Sequence, residues 1–264
     1  MLHNTPERPL SLTFDGPLAV LTVDNPPYNL FDRAMCAAWA AAVDTLSAQP
    51  PRGLLIRAVG RIVSAGMDVH VFAELADDEA RRFWVDLLDI TRTLESLPCP
   101  TVFAAHSLTL TAAFELALAC DLIVATRSAR FGLVERTVGL TPAMGGTQRL
   151  AARAGSSRAR QLVMTGDLYR GDELADWGVV NALLSSETFD EDARAYALRL
   201  ATGPTRAHAA TKRVLAAFRD GGVAAADAML ADAAADVWGT EDHRRAVAAF
   251  LADGPDHDTE FHGC

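Results

Sequence analysis

The first half of the chain carries short apolar runs of the kind that form β-strands. Residues 10–14 alternate between apolar and polar positions, residues 15–17 read Asp-Gly-Pro, and residues 18–23 are almost continuously apolar. Two such runs around a turn signal predict a β-hairpin, which Asn25-Pro26-Pro27 ends. Three further runs have the length and composition of buried strands: 53–58, 101–105 and 122–125.

Segments of helical periodicity lie between these runs. Their apolar positions recur every three to four residues in the stretch after Asp32 (Met35, Trp39, Val43 and Leu46), in the stretch from Asp77 to Pro98, and in residues 112–120. Asp32 is a candidate N-cap for the first helix, and residues 61–68 predict a loop. Strands that alternate with helices in this way predict an α/β fold built on a parallel, helix-covered sheet.

From Gly145 onward the pattern is nearly all helical. Five segments fit a 3.6-residue period: 158–165, 187–202, 205–220, 224–238 and 241–251. We therefore divide the chain into an α/β core (1–195), a helical C-terminal region (196–251) and an acidic tail (252–264). The tail contains Gly, Pro, Asp and His and predicts a loosely held end.

Charge and composition exclude some classes of protein. The chain has 264 residues, 50% of them hydrophobic, and a formal net charge of −10. Apolar content this high argues against disorder, and the acidic balance argues against a nucleic-acid partner. No apolar run reaches the ~20 residues of a membrane-spanning helix, and the first nine residues lack the pattern of a signal peptide. We expect a cytoplasmic protein with no membrane partner.

The cysteines and histidines do not form a metal-binding pattern. Cys36, Cys99, Cys120 and Cys264 are scattered without a CxxC pair, and no histidine cluster has ligand spacing. Cys36 and Cys120 have apolar neighbours, which predicts small buried side chains rather than nucleophiles. We expect no metal and no cofactor apart from the substrate itself.

Three segments carry the candidate chemistry, and their order is distinctive. The first is Ser64-Ala65-Gly66-Met67-Asp68. The second runs from Ala104-Ala105-His106-Ser107 to Ala112-Ala113-Phe114-Glu115, and the third from Ala129-Arg130-Phe131-Gly132-Leu133-Val134-Glu135 to Gly145-Gly146-Thr147-Gln148-Arg149-Leu150. This arrangement resembles the crotonase superfamily, which includes the enoyl-CoA hydratases and isomerases, over nearly the whole chain. The resemblance implies a spiral of ββα units followed by helices, assembled as a homotrimer or a dimer of trimers.

The resemblance also implies an oxyanion hole for an acyl thioester carbonyl. A helix that begins at Ala112 directs free N–H groups out of its start, and Gly66 permits a tight turn that presents another N–H group. Two converging donors stabilise the charge that develops on a carbonyl oxygen. By resemblance, these donors are the backbone N–H groups of Met67 and Ala112. The implied substrate-binding residues are Ala65, Gly66, Asp68, Phe72 and His106. His106 is either an additional acid or base or, as the resemblance favours, a polar residue that supports the loop by hydrogen bonds.

Two glutamates match the acid/base pair of the enoyl-CoA hydratases. Glu115 lies on the helix that begins at Ala112, among apolar neighbours that would raise its pKa. By resemblance, Glu115 activates the attacking water and Glu135 protonates the α-carbon. The alternative is that Glu115 is a solvated helix residue and that Glu135 forms a structural ion pair with Arg136 or Arg149.

The chain departs from the family's pattern around the predicted oxyanion hole. Ser107 and the Thr111-Ala112-Ala113 triplet stand where relatives usually have glycines, and Ala143 replaces another glycine. Each added Cβ narrows the approach to the acyl chain, and Thr111 is β-branched and stiff. The N–H group of Ala112 is retained, since every residue but proline has one. The sequence therefore leaves the shape of the oxyanion hole undecided.

A second departure concerns the nucleotide end of coenzyme A. His70 stands where relatives commonly have a lysine, and the tail has four acids and no Lys or Arg. Acidic groups repel a pyrophosphate. Either nearby arginines (Arg61, Arg81, Arg82 or Arg130) substitute, or a carrier protein presents the acyl group, or the substrate is not a thioester. If the tail is disordered, its acidic residues have no bearing on the binding of coenzyme A.

The leading hypothesis is a hydratase or dehydratase of an acyl thioester. The resemblance leaves two alternatives: a double-bond isomerase or specialised biosynthetic lyase or cyclase, and a non-catalytic member of the superfamily with a blocked pocket. Retention of both glutamates favours hydration, because isomerases of the family often have one.

Overall fold

A computed structural model describes residues 9–73, 75–256 and 258–264. The strands in this part of the chain are β1 (Leu10–Asp15), β2 (Leu18–Val23), β3 (Gly53–Ala58), β4 (Thr101–Ala105), β5 (Thr109–Leu110), β6 (Leu122–Thr126), β7 (Arg130–Gly132), β8 (Tyr169–Arg170) and β9 (Ala182–Leu184). They form a six-stranded sheet of order β1-β2-β3-β4-β6-β9 and a three-stranded sheet of order β5-β7-β8. In the larger sheet β1 runs antiparallel to β2, and the other neighbours are parallel.

Helices cover the larger sheet and extend beyond it. They are α1 (Arg33–Ala48), α2 (His70–Ala73), α3 (Asp77–Ser96), α4 (Ala112–Ala119), α5 (Gly146–Ala154), α6 (Ser156–Thr165), α7 (Gly171–Asp176), α8 (Phe189–Ala201), α9 (Thr205–Ala235) and α10 (Glu241–Asp253). A 3-10 helix spans Glu135–Val138. The Asp32 side chain caps α1 by accepting a hydrogen bond from the Met35 N–H at 2.7 Å, as predicted.

The core lies on both faces of the larger sheet. One face packs against α1, α3 and α4, where Trp39, Leu94 and Phe114 are almost completely buried. The other face, with Leu55 and Val124, packs against α8. Every residue of β4 is buried, which explains why this strand is continuously apolar rather than alternating. Helix α4 is also buried along its whole length, so its first turn is held rigidly inside the molecule.

The C-terminal helices differ from those of the core because they expose apolar side chains. Leu215, Val223, Leu230 and Leu251 are more than half exposed. Helix α9 bends at Gly222, which has φ 71° and ψ −166°. This bend separates the two helical segments that the periodicity predicts, 205–220 and 224–238.

Most of the predicted elements are present, with two differences. Strands β5, β7, β8 and β9 have two or three residues each, too few to show a period. The acidic tail also differs from the loosely held end that its composition predicts, because Asp242 accepts hydrogen bonds from the His262 and Gly263 N–H groups at 2.8 and 2.7 Å.

Candidate active site

A cavity of about 140 Å³ opens where α4 meets the 3-10 helix. Its lining includes four of the predicted catalytic groups, Met67, Ala112, Glu115 and Glu135. Most of the remaining lining is apolar: Ala65, Val69, Phe72, Trp84, Leu87, Val134, Val138, Leu140, Ala143 and Met144. An apolar cavity with a few converging polar groups is the usual form of a small-molecule site.

Glu115 is fixed at the inner end of this cavity. Its side chain is 2% exposed, and its Oε1 accepts hydrogen bonds from the Met144 N–H at 2.9 Å and the Gly146 N–H at 2.8 Å. In the described part of the chain no donor reaches the other oxygen, Oε2. A Cβ at Gly146 would lie 2.7 Å from the Glu115 Cγ, so only glycine leaves room for the carboxylate here. Glu115 is therefore not a solvated helix residue.

Glu135 faces the same cavity from the first turn of the 3-10 helix. Its Oε2 is buried and has no hydrogen-bond partner among the residues described. The two arginines proposed as ion-pair partners are engaged elsewhere: Arg136 donates to the Thr165 carbonyl oxygen at 2.6 Å, and Arg149 pairs with Glu95 at 2.8 Å. The ion-pair alternative for Glu135 is therefore wrong.

Both carboxyl groups have raised pKa values. Burial, reinforced by the charge of Glu135, raises the pKa of Glu115 to about 8, against the hydrogen bonds from Gly146 and Met144. Burial raises the pKa of Glu135 to about 7. Near neutral pH the pair therefore retains a proton, so one member can donate a proton while the other accepts one.

The loop at residues 61–68 is held by a buried asparagine that sequence reasoning missed. Asn29 is 3% exposed, and its Nδ2 donates to the carbonyl oxygens of Val59, Ile62 and Val63 at 3.0–3.1 Å. The Ser64 hydroxyl donates to the Asn29 carbonyl oxygen at 2.6 Å. Asn29 has φ 49°, a conformation that asparagine tolerates better than most residues. This anchoring fixes the position of the Met67 N–H group.

The two predicted oxyanion donors are in different states. Ala112 is the first residue of α4, so its N–H group has no acceptor within the helix. The Met67 N–H group, in contrast, donates to the Thr111 Oγ1 at 3.1 Å. A threonine hydroxyl therefore lies on the donor that the family resemblance assigns to the substrate.

The predicted substrate-binding residues do not all reach the cavity. Ala65 and Phe72 line it, and the Phe72 ring lies 5.5 Å from the Trp84 ring between centroids. Gly66 is absent from the lining, but a Cβ there would collide with the Thr111 Oγ1. The Asp68 carboxylate is turned toward His70, accepting from its N–H group at 3.0 Å. That backbone hydrogen bond lowers the pKa of Asp68.

His106 lies apart from the two glutamates. Its Nε2 is 3.1 Å from the Gly60 carbonyl oxygen, and its ring packs edge-on to Phe189. Burial lowers the pKa of His106, so the neutral form is favoured. The residue lines a separate groove between β3 and the start of α8. The structure thus places His106 as a support of the loop near Gly60 rather than beside Glu115 and Glu135.

Among the residues described, no Lys, Arg or His side chain lines the cavity to bind a phosphate. His70 stands at the position of the usual lysine, and its Nδ1 lies 2.7 Å from the Asp68 Oδ1. The single lysine of the sequence, Lys212, pairs with Asp121 at 2.8 Å. Arg61, Arg81, Arg82 and Arg130 are all exposed, and in the described residues none of them lines the cavity.

The remaining candidate chemistry lies in the cysteines. Cys36, Cys99 and Cys120 are buried, and burial raises the pKa of each thiol to about 12, so all three are inert at neutral pH. Across residues 9–73, 75–256 and 258–264, no three His, Cys, Asp or Glu side chains are grouped to hold a metal ion. None of the helices described there is both long enough and apolar enough to cross a membrane.

The sequence analysis did not predict the groups that hold Glu115 or the contact between Thr111 and Met67. The Met144 and Gly146 N–H groups that bind Glu115 belong to backbone, which carries no side-chain signal. Gly145-Gly146 was the available signal, since paired glycines before a helix indicate a close backbone approach. The contact between Thr111 and Met67 joins residues 44 positions apart and has no local signal.

Comparison with known proteins identifies relatives of one kind. The family model for enoyl-CoA hydratase/isomerase matches residues 13–257. A probable enoyl-CoA hydratase of Bacillus subtilis (strain 168) is 32% identical over 195 residues, covering 73% of this chain and 76% of the relative. The crotonyl-CoA hydratase of Syntrophomonas wolfei is 30% identical over 240 residues, covering 89% and 91%.

Solved structures extend the similarity to the fold. A putative enoyl-CoA hydratase from Streptomyces coelicolor A3(2) superposes with a TM-score of 0.91 at 30% identity, covering 98% of this chain and 96% of that one. A Geobacillus kaustophilus protein described as an enoyl-CoA hydratase subunit has a TM-score of 0.88 at 29% identity, with 97% and 98% covered. These similarities confirm the predicted crotonase fold.

Proposed function

The chain belongs to the enoyl-CoA hydratase/isomerase family, and we propose that Glu115 and Glu135 are the acid/base pair of its hydratase reaction. It is an enoyl-CoA hydratase-like enzyme of the lyase class, and its substrate is an acyl-CoA thioester. The observation that carries the residue assignment is the pairing of a fixed, buried Glu115 with an unpartnered Glu135 oxygen in one cavity.

The proposed reaction adds water across the α,β-double bond. The ionised carboxylate, assigned to Glu115, removes a proton from water while the water oxygen forms a bond to the β-carbon. The π electrons move toward the thioester carbonyl, which becomes an enolate oxygen. The protonated carboxyl group, assigned to Glu135, then supplies a proton to the α-carbon as the carbonyl re-forms. Water is consumed, and the pair ends with the same number of protons.

The geometry of the two carboxyl groups supports this division of labour. The Met144 and Gly146 N–H groups hold the Glu115 Oε1, which leaves Oε2 free to accept from a water molecule. In the residues described, the Glu135 Oε2 has no such donors. With pKa values of about 8 and about 7 the pair shares one proton near neutral pH, and the reactive form is the one in which Glu135 carries it and the N–H groups stabilise the Glu115 carboxylate. The apolar lining around Phe72 and Trp84 suits an acyl chain.

Turnover of crotonyl-CoA and of a longer enoyl-CoA tests the proposal. We expect disappearance of the conjugated chromophore and a product heavier by one water molecule. Incubation of a 3-enoyl thioester in D₂O separates hydration from isomerisation, because its double bond is not conjugated with the carbonyl. A hydratase leaves this compound unreacted, whereas an isomerase moves the double bond into conjugation and introduces deuterium without adding water. Formation of the conjugated isomer from the 3-enoyl thioester, with no hydration of either 2-enoyl thioester, would assign the protein to the isomerases instead.

Recognition of the nucleotide end is a separate question that the same assay answers. Lys212 pairs with Asp121, and the His70 Nδ1 lies beside the Asp68 carboxylate, so a carboxylate already accompanies each of these two side chains. We expect the enoyl group on a pantetheine stub to have a KM within about tenfold of that of the CoA thioester. A much higher KM for the stub would show that exposed arginines bind the nucleotide.

We propose that the C-terminal region 196–251 mediates self-association as a homotrimer or dimer of trimers. The exposed apolar side chains of α9 and α10 support this, because such surfaces on a monomer are costly. Sedimentation equilibrium tests the assembly, with Leu215→Arg as the variant expected to dissociate it.

We further propose a cytoplasmic location, which the four unpaired cysteines favour; cell fractionation tests it.

A further inference from the structure

The Thr111 side chain lies on the backbone N–H group of Met67, which the family resemblance requires to be free for the substrate. Its Oγ1 accepts from the Met67 N–H at 3.1 Å and lies against Gly66, where a Cβ would collide with it. The side chain is 8% exposed and lines the cavity that contains both glutamates. The Met67 N–H group is therefore already used before any ligand arrives.

The backbone of Thr111 is strained. It has φ 43° and ψ −116°, a region that is open to glycine and unfavourable for a β-branched residue. The conformation is imposed by its surroundings: the Thr111 N–H donates to the Gly132 carbonyl oxygen at 2.9 Å, and its own carbonyl oxygen accepts from the Glu115 N–H at 2.8 Å. Strain held in this way at a cavity wall is typical of functional positions.

A hydroxyl that accepts one hydrogen bond still has its own proton to donate. In the part of the chain that the structure describes, the Thr111 hydroxyl has no acceptor for that proton. The hydroxyl lies one residue before Ala112, the second predicted oxyanion donor, and shares the cavity wall with it. Its proton can therefore be directed to a ligand oxygen in the cavity.

We propose that the Thr111 hydroxyl is a catalytic hydrogen-bond donor to the thioester carbonyl, standing in for the Met67 N–H group. This inference rests on the proposed hydration at the same site. The Met67 N–H polarises the hydroxyl by donating to it, and the hydroxyl passes that polarisation to the developing enolate oxygen. The oxyanion hole of this chain then consists of the Thr111 hydroxyl and the Ala112 N–H group. No proton is transferred to the oxygen, so the balance of the hydration is unchanged.

The kinetic test compares Thr111→Val with Thr111→Ser, which differ in the presence of a hydroxyl. Loss of one oxyanion donor lowers kcat by about 10²-fold. We expect T111V to lose about 10²-fold in kcat with a smaller change in KM, and T111S to stay within about fivefold of the wild type. Thr111→Ala is the second hydroxyl-free variant, should T111V fold poorly by circular dichroism. If T111V keeps the kcat of the wild type, or if T111S falls as far as T111V, the hydroxyl is not a donor. A T111A enzyme faster than the wild type would make the hydroxyl an obstacle.

A binding measurement separates this inference from the hydratase function. Butyryl-CoA labelled with ¹³C at the carbonyl cannot be hydrated, and its carbonyl stretch moves to lower frequency when hydrogen bonds polarise it. We expect this shift in the wild type and T111S and a smaller shift in T111V. The shift pattern without turnover of any enoyl thioester would leave the donor assignment standing and overturn hydration. Turnover with equal shifts in all variants, or no shift in the wild type, would overturn the donor assignment alone.

Discussion

Two regions of the molecule bury carboxylates, and they treat them in opposite ways. In the cavity, one oxygen of Glu135 has no partner among the residues described. At the start of α10, Asp242 is 5% exposed and accepts from the His262 N–H at 2.8 Å, the Gly263 N–H at 2.7 Å and the Arg245 Nη1 at 3.2 Å. We call this second arrangement, Asp242 with Arg245, His262 and Gly263, the C-terminal clasp.

Donors distinguish the pKa of Asp242 from that of Glu135, whereas burial dominates the pKa of Glu115 in spite of its two N–H donors. Burial opposes the charge of Asp242, yet the N–H groups of His262 and Gly263, with Arg245, lower its pKa. Burial raises the pKa of Glu135 to about 7 because too few donors compensate it. A carboxylate with a full set of donors stabilises a structure, whereas one without them is ready to exchange a proton.

The largest expected effect tests the reactive side of this comparison. Glu135→Gln keeps the size of the side chain and removes the exchangeable proton, so we expect kcat for enoyl-CoA hydration to fall about 10³-fold. Steady-state kinetics measures the loss. Glu187→Gln, at an exposed glutamate outside the cavity, is the matched control and should leave kcat unchanged. A Glu135→Gln enzyme with more than a tenth of wild-type activity would remove Glu135 from the mechanism.

A second variant separates the Glu115 carboxylate from the N–H groups that donate to it. In Gly146→Ala the new Cβ would lie 2.7 Å from the Glu115 Cγ and 3.0 Å from its Oε1, so the carboxylate must leave the Met144 and Gly146 N–H groups. A displacement of about 1 Å at a catalytic group costs roughly 10²-fold in rate, and we expect a loss of that order in kcat. Thermal unfolding monitors the fold in parallel. Unchanged kcat in a folded variant would show that these N–H groups do not position the base.

A substitution in the C-terminal clasp should lower the stability of the protein and leave its catalysis unchanged. Asp242→Asn replaces one acceptor oxygen by an amide that cannot accept from both backbone N–H groups, and we expect a loss of about 1–3 kcal/mol in the free energy of unfolding. Urea denaturation measures this loss. The kcat per folded molecule should equal that of the wild type, because none of the clasp residues lines the cavity. A parallel fall in kcat would contradict the separation of the two regions.

The two regions should also have opposite effects on stability as the pH changes. Glu115 and Glu135 have folded pKa values of about 8 and about 7, above the ordinary 4.5, so the folded state binds more protons between these limits. Their contribution is fully present below pH 4.5 and is lost as the pH rises through 7 and 8. Asp242 has a lowered pKa, so its contribution is present above the ordinary value and is lost as the pH falls through the folded pKa.

Urea denaturation between pH 5 and 9 measures this pH dependence. We expect the free energy of unfolding of the wild type to fall by a few kcal/mol across this range, and Glu115→Gln to show a shallower slope. The amide oxygen of the substituted side chain can still accept from the Met144 and Gly146 N–H groups, so the comparison isolates ionisation. Equal slopes in the two proteins would mean that the pKa of Glu115 is not raised.

Local patterns predicted most of the fold and part of the site. Asp32 identified the start of α1 because capping depends on residues only three positions apart. The neighbours of Glu115 in the sequence indicated a buried carboxylate because all of α4 is apolar around it. The ion-pair alternative for Glu135 could not be decided from the sequence, since Arg149 and Glu95 are 54 positions apart.

The tail shows where a local pattern fails, and His106 shows what such a pattern leaves undecided. The composition of the tail predicts a loose end, but its last residues are held by Asp242, 20 or more positions earlier. His106 is adjacent in sequence to the active-site segment, yet its ring points to Gly60 and Phe189. Side-chain direction at the end of a strand depends on which neighbours pack against it, and the local sequence does not contain that information.

The sequence by itself determined the fold class, the family and the two glutamates, because periodicity and motif spacing are properties of the chain alone. The tertiary structure decided the charge state and the partners of the site. Burial and the Met144 and Gly146 N–H groups set the state of Glu115, and a contact across 44 positions placed the Thr111 hydroxyl on the Met67 N–H group. Hydrogen bonding and desolvation act through space, so they are fixed only when distant segments meet.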